Sequence, residues 1–522
     1  MVEGGRVDAW RRLTSDPQVP PALLLSVGTA LASTLLALLL ALVLVTHLHG
    51  NRAWRLFGRT LGPMLAVPHA AFAIGFALLV MPAGLIARLI APIAGWDAPP
   101  HWPTVHDPWG IGLVTVLVLK ETPFLLWNLT ALLARPDVDA AVHRQLAIGR
   151  TLGYSAEQVW WRVVWPQWLP RLAWPLAAVL AYGLTVVDLA LIIGPTSPPT
   201  LAVLAWQALL DAGATRNAEG AAAAVALVIA LLALVALGAW SMRGWKYVAA
   251  VRARRGERAV RWPLGARLVR SGAIALPAVY LVVVGVLAAM SWVGVWRFPA
   301  LLPQLWTGHA WQQVLAAPRA LLDTAVLALG AAATSLLLAL AWLEGAPRAW
   351  QVRGLPVVML PLVVPGILLA SGAYQIALMA RVDGTPSGLL WVHTLVVLPY
   401  VVIALAPAWH SFDRRFETTA LALGRSRAAF WWRIKLPMLA APLAAAFAVG
   451  FAVSVAQYLP TLFVGAGRFA TVTTEAVTLA AGGQRQTAAA WAFAQALLPA
   501  LGFVLAYAYG LRHAQAFAAA PR

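Results

Sequence analysis

The sequence has no cysteine and only three lysines, and charged residues fill just 11% of its 522 positions. An ordinary soluble domain carries roughly 25% charged residues. Without cysteine there is no disulfide framework, no thiolate-bound zinc and no thiol nucleophile. The ten histidines never form the H-E-x-x-H spacing that sets two imidazoles on one helix face. The three lysines, Lys120, Lys246 and Lys435, follow Leu119, Trp245 and Ile434, so no G-x-x-x-x-G-K-[ST] nucleotide loop occurs. Nor is there a repeated Asp/Glu motif suited to a membrane-embedded enzyme. The chain is therefore expected to hold no catalytic residue, metal or cofactor of its own.

What is abundant is apolar: 61% of the residues, with a mean hydropathy of +0.78. Such a chain cannot clothe a soluble surface in polar groups, and an all-α polytopic membrane protein follows. A helix needs about 20 apolar residues to cross the hydrocarbon core. Spans are expected near 22–45, 61–80, 110–132, 172–193, 220–241, 272–295, 320–343, 355–379, 388–410, 439–463 and 488–511. Shorter apolar pieces near 85–94, 200–210 and 470–480 read as re-entrant or interfacial. These long runs lack the alternation of a membrane barrel. The first run, Ala22–Val45, is too long for the core of a signal peptide and ends without a small-residue cleavage site.

The net charge of +19 would suggest nucleic acid in a soluble protein. In a membrane protein, Lys and Arg instead collect on the cytoplasmic side. Arg52, Arg55 and Arg59 lie in one loop, and nine basic residues from Arg243 to Arg270 (Arg258, Arg261 and Arg267 among them) lie in a central linker. Placing both inside also puts 133–171, 344–354, 411–438 and the C-terminus inside, with most of the 38 basic residues. No nucleic-acid partner is expected. Eleven spans leave Arg6, Arg11 and Arg12 outside. The stretch Ala9-Trp10-Arg11-Arg12-Leu13 resembles the His309-Ala310-Trp311 loop, which has a span, 272–295, before it. A twelfth, upstream helix is therefore expected to be missing from this chain or lost in it.

The two halves repeat. Gly153 and Gly424 stand 271 residues apart, as do Trp160-Trp161-Arg162 and Trp431-Trp432-Arg433, Pro166 and Pro437, Gly194 and Gly465, and Thr200 and Thr471. Upstream, Pro68 to Gly75 resembles Pro365 to Gly372. The reading is a first repeat at 1–241, a basic cytoplasmic linker at 242–271 and a second repeat at 272–522, in parallel orientation. Within each repeated loop, Gly153 suits the left-handed position that ends a helix. Ser155 precedes Gln158 at capping-box spacing, and Pro166 closes the short helix that follows. Gly424, Ser426 and Pro437 hold the same places, although Ala429 cannot complete the box.

These loops resemble the E-A-A-x-x-x-G … I-x-L-P signature of permease subunits of binding-protein-dependent ABC importers. Thr418 to Gly424 followed by Ile434-Lys435-Leu436-Pro437 is similar to one copy, and Ala147 to Gly153 followed by Val163-Val164-Trp165-Pro166 to the other. Ala147 and Thr418 stand where the family has its first Glu, and Glu417 lies one place early. Two copies in one chain resemble the fused permeases of ferric-iron and thiamine importers; an uncharacterised, thiamine-like enterobacterial permease is of the same fused type. The resemblance implies coupling helices at 153–165 and 424–436 and two copies of a cytoplasmic ATPase that supplies ATP and Mg. It also implies an extracytoplasmic binding protein, residence in the bacterial inner membrane and alternating access. Direction and substrate class (thiamine, ferric ion or another small solute) come from the family alone. The competing class is a secondary transporter or channel, which has no reason to duplicate a docking loop.

Other residues carry paired readings. Trp160, Trp161, Trp431 and Trp432 suit interfacial anchoring or partner docking. Lys120 and Glu121, inside a span, read as a packing pair or a functional one. Asp188, Gln457 and Glu475 are candidates for the pathway lining, Glu475 alternatively for capping a re-entrant helix. Gly183, Gly450 and Ala456 suit close helix packing. The outer loop 96–109, with Trp96, Asp97, His101, Trp102, His106 and Asp107, reads as a partner contact rather than a metal site, as does Trp306–Trp311.

Overall fold

The computed structural model describes residues 7–256 and 266–519. Arg6 and, in the linker, Arg258 and Arg261 lie outside the described residues. Among those described, the regular elements are helices. Eight are long and apolar enough to cross a membrane, among them Val19–Leu48, Ile111–Leu133, Pro318–Gly345 and Pro386–His410; two bent pairs raise the number to ten. Leu24, Leu281, Leu337 and Leu505 stand exposed on their outer faces, as lipid-facing helices require.

The difference from eleven unbroken spans has a physical cause. The expected span 61–80 breaks between Arg52–Ala66 and His69–Val80, and 355–379 breaks between Arg348–Val363 and Gly366–Met379, the latter by 104°. Val67 and Val364 at the breaks are extended (ψ 120° and 129°). Each precedes a proline, whose ring excludes the helical conformation for the residue before it. The span 172–193 divides into Ala173–Thr185 and Asp188–Ile193, and 439–463 into Ala440–Val455 and Leu459–Val464. The pieces at 85–94, 200–210 and 470–480 are short helices, Leu85–Ala94, Leu201–Leu209 and Val472–Ala481.

Packing recurs along the chain. Val19–Leu48 lies against Ile111–Leu133 and Ala173–Thr185; Pro318–Gly345 lies against Pro386–His410 and Ala440–Val455. Lipid tails are as apolar as leucine, so close approach of backbones holds such helices together. A Cβ on Gly183 would sit 3.4 Å from the Ala30 backbone, and one on Gly450 2.9 Å from Val401. Two matching hydrogen bonds fix the short helices: the Leu201 amide donates to Ser26 Oγ (2.8 Å) and the Val472 amide to Thr324 Oγ1 (2.9 Å). The amphipathic helix Val7–Ser15 rests on Ala214–Arg254, as His309–Ala316 rests on Arg485–Ala519. Ala266–Met290 crosses to the N-terminal half and packs on His69–Val80 as well as on Arg485–Ala519.

Candidate functional site

Both repeated loops are built alike. Helix Pro136–Thr151 ends where Gly153 takes φ +82°, with Tyr154 N–H donating to Gly149 O and Gly153 N–H to Arg150 O. Gly424 takes φ +76°, with Arg425 N–H on Ala420 O and Gly424 N–H on Leu421 O. This bonding satisfies carbonyls that a helix end leaves open, and the left-handed residue favours glycine. Ser155 and Gln158 close a reciprocal capping box at 3.2 and 3.0 Å; Ser426 caps Ala429 at 3.2 Å without a return bond.

The helices that follow widen into π-type turns at Trp160–Val164 and Trp431–Lys435, the same 271 residues apart. Pro166 and Pro437 explain them. A proline cannot donate to the carbonyl four residues back, and Trp165 and Leu436 instead donate five residues back, to Trp160 and Trp431. Sequence reasoning placed the prolines but missed the widened turn.

The two loops differ in what they bury. Trp160 is a core residue, 4.7 Å between ring centroids from Trp165 and 5.4 Å from His49. Trp165 Nε1 donates to Thr46 Oγ1 (3.0 Å), and His47 meets Glu157 at 3.2 Å. The loop is thereby tied to the end of Val19–Leu48. Burial chiefly pushes the His49 imidazole below its ordinary pKa, nearby Asp139 opposing and His143 adding to the shift. Trp161 and Trp431 are half-buried, whereas Trp432 is 66% exposed. Arg162 lies 5.9 Å from the Tyr154 ring, while Arg433 is exposed. Lys435 ion-pairs with Glu344 and covers Trp409 at 4.1 Å. A shared docking role for all four tryptophans therefore does not suit Trp160, which supports its helix from behind.

Between the two halves, the interrupted helices leave non-helical backbone at 186–187 and 456–458, where Val186, Val187 and Tyr458 are buried. Such breaks are tolerated within a membrane only where protein or a water-lined space surrounds them. Asp188 opens the helix after the first break and is half-accessible. Gln457 lies in the second break, its amide donating to Val453 O (3.0 Å). The His69 side chain is 38% accessible. Glu475 is half-buried in the first turn of Val472–Ala481, which packs on Asp188–Ile193. Its alternative capping role is corrected: Thr471 and Thr474 form that box. Sequence reasoning also missed His393, buried between Ser454 Oγ (2.8 Å) and Thr461 Oγ1 (3.0 Å), and Gln495, which donates to Thr473. A lone histidine and glutamine in apolar runs carry no pattern that would reveal them.

Lys120 and Glu121 are not each other's partners, which corrects the pairing read from sequence. Consecutive helical side chains diverge. Lys120 Nζ donates to Val67 O (2.6 Å) and, at 3.4 Å, to Met64 O. Pro68 has no N–H with which to meet that Met64 carbonyl. Pro123 frees Leu119 O in the same way, and the Tyr280 hydroxyl reaches it at 2.9 Å. Glu121 meets His69 at 3.3 Å.

On the opposite face from the loops, Arg88 is buried and spends its guanidinium on four carbonyls: Ala83 (3.0 Å), Arg297 (2.9 Å), Ala300 (2.8 Å) and Trp296 (2.9 Å). It clamps the loop after Met290 to the N-terminal half. Asp107 belongs to a helix start, accepting from the amides of Ile111 (2.7 Å) and Gly112 (2.8 Å). His106 contacts Gly194 O (2.8 Å), and Trp96 and Trp102 pack on each other at 5.4 Å. Among the described residues no group of three metal-ligating side chains forms.

No protein-family model matches the chain. It is 36% identical over 500 residues, 95% of its length and 89% of the relative's, to the inner membrane ABC transporter permease protein YnjC of Escherichia coli strain K12. It is 30% identical over 128 residues, 22% of this chain and 48% of the relative, to the molybdenum transport system permease protein ModB of Mycobacterium bovis and of Mycobacterium tuberculosis.

Proposed function

The chain belongs to the permease subunits of inner-membrane ABC transporters, and from that membership we propose that it is the whole pathway of an importer, its two halves acting as a pseudo-dimer. The observation that carries this reading is the duplicated loop, with a left-handed glycine, a serine-capped turn and a π-widened helix ended by proline at one constant offset. Two copies of a cytoplasmic ATPase dock there, at 153–165 and 424–436. ATP binding in that partner draws the two helices together, and nucleotide state biases which face of the pathway is open. Trp432, Arg433 and the turn at Gly153 offer the contact surface; Trp160 and Pro166 transmit movement into the membrane helices. The basic linker and the C-terminus share the ATPase side, and an extracytoplasmic binding protein meets the Arg88-clamped face.

Asp188 and Glu475, both half-accessible, line a pathway suited to a small cationic or neutral solute. Thiamine is of the favoured kind. The binding protein makes the final selection.

The test is purification of the chain from its native membrane in mild detergent, with stoichiometry by mass spectrometry. A P-loop ATPase at two per chain is expected. Trp432→Ala should lose it without lowering the melting temperature. Trp160→Ala should lower thermal stability first, since emptying a buried aromatic site costs about 3–5 kcal/mol. A chain that purifies alone from membranes where its neighbours are expressed and intact overturns the reading.

A further inference from the structure

The breaks at 186–187 and 456–458 occupy matching places in the repeat but are not held alike. A helix that stops inside a membrane leaves its last carbonyls without amide partners. In the C-terminal half, relays of side-chain hydrogen bonds end on those carbonyls. Thr473 Oγ1 donates to Val455 O and accepts from Gln495 Nε2 (2.6 Å). Thr461 Oγ1 donates to Gln457 O (3.1 Å), so its lone pairs receive the Nε2–H of His393 (3.0 Å). That assigns the tautomer, and His393 Nδ1 accepts from Ser454 Oγ (2.8 Å). His393, Ser454, Thr461, Thr473 and Gln495 are all buried, each on a different helix.

The N-terminal half has no such relay. At the constant offset of 271, Ser454, Thr461, Thr473 and Gln495 correspond to Gly183, Ala190, Ala202 and Ala224. Gly112 and Pro123 stand 276 residues before Gly388 and Pro399, which puts Leu117 in the place of His393. These counterparts are buried as well, and none carries a polar side-chain atom. The carbonyls that match Val455 and Gln457 belong to Leu184 and Val186. Among the described residues, no side chain donates to either. Thr185, between them, spends its hydroxyl on Ala181 O (2.7 Å) within its own helix. The helix Asp188–Ile193 is held instead at its far end, where the His106 amide donates to Ile193 O (3.1 Å) and the His106 ring meets Gly194 O (2.8 Å).

We propose that His393 is a positioning residue for transport. With the relays around it, His393 pins the break at 456–458 in one geometry through the whole cycle. The C-terminal wall of the pathway then stays fixed, and the wall changes shape at 186–187, where Asp188 swings about the end held by His106. Parting Leu459–Val464 from Ala440–Val455 would leave several buried donors and acceptors unpaired at once, and a low dielectric makes each of them costly. Moving the Asp188 end of its helix breaks no side-chain hydrogen bond to another helix; packed helices slide by small shear steps. The inference rests on the importer reading above, which supplies the nucleotide-driven cycle.

The chain has no cysteine, so a single introduced thiol is the only maleimide target in it. Val186→Cys and Gln457→Cys occupy matched positions, and their labelling rates are compared in the complex of the full chain with its ATPase, in nanodiscs. Between the nucleotide-free and vanadate-trapped states, the rate at Val186→Cys should change by about fivefold or more, as coupled sites do. The rate at Gln457→Cys should not change. His393→Leu installs the residue of the first half and should make Gln457→Cys respond to nucleotide. His393→Gln keeps a donor and an acceptor and should silence it again. A purely structural histidine would lower the melting temperature when lost and leave the nucleotide response where it was. Gln495→Ala cuts the other relay and serves as the second variant. A silent Val186→Cys, equal responses at the two breaks, or a Gln457→Cys that stays silent in both His393→Leu and Gln495→Ala overturns the proposal. Leu423→Cys, exposed on the docking loop, separates the failures. Shielding of that thiol by the ATPase leaves the importer reading standing whatever the breaks do; an unshielded thiol removes both.

Discussion

Replacing Gly149 by alanine tests whether the first loop helix is held at a set distance from the helix before it. The added Cβ would lie 2.2 Å from Val159 Cγ2, about 1.3 Å inside ordinary carbon–carbon contact. Val159 is buried against Trp160 and Trp165, so its methyl groups have nowhere to retreat, and the short helix must move outward. Overpacking of this kind costs about 1–3 kcal/mol. The matching pair in the second loop is Ala420 facing Phe430, both buried, so that loop has its own spacing. Gly149→Ala should lower the melting temperature and weaken the coupling of ATP hydrolysis to transport in proteoliposomes. Val159→Ala removes both methyl groups and should restore coupling when combined with it, so a double-mutant cycle should show an interaction of about 1–3 kcal/mol, well beyond additivity. A Gly149→Ala protein with unchanged melting and coupling would refute the reasoning, as would a double variant no better than the single one.

Lys120→Met removes the donor to the carbonyls of Met64 and Val67; leaving a buried acceptor open costs about 1–3 kcal/mol. A thermal-shift measurement in detergent should show that loss, and an unchanged melting point would mean that water takes over the bond. Arg88→Lys keeps the charge but not the fork that reaches four carbonyls, so limited proteolysis should cut the 291–308 loop faster; an unchanged cutting rate refutes the clamp. His49 supplies a pH dependence. Its folded pKa lies below the ordinary value near 6.5, so as pH falls through about 6.5 the unfolded segment takes up the proton first. The loop's stability is then fully present above that pH, declines below it and levels off once the folded pKa is passed. Protection factors of 152–168, taken relative to the intrinsic exchange rate at each pH, should fall between about pH 8 and about pH 5.5. His49→Gln should flatten this response, and protection factors that ignore pH in the wild type refute it.

How much of this was legible in the sequence depended on the range of the interaction concerned. Gly153, Ser155 with Gln158, and Pro166 act within a few residues of themselves, so their spacing foretold the turn, the cap and the end of the short helix. The broken spans were partly legible too. Pro68 and Pro365 lay inside runs whose hydropathy averaged over them, although each proline dictates an extended residue before it.

Long-range partners were not legible. Lys120 and Glu121 look like a pair because they are adjacent in sequence, but their partners are a carbonyl freed by Pro68 and an imidazole on another helix. Trp160 and Trp432 belong to matching motifs, and only the neighbours Trp165, His49 and Thr46 decide that one is buried while the other stands exposed. Sequence alone determined that the chain is a helical membrane protein with a duplicated loop, because bilayer thickness, helix caps and proline act on local stretches. Which tryptophan is buried and which exposed, and which carbonyls a lysine and a tyrosine rescue, were decided by tertiary structure. Each of these depends on which distant segments are brought within bonding distance, and hydropathy and spacing carry no record of that.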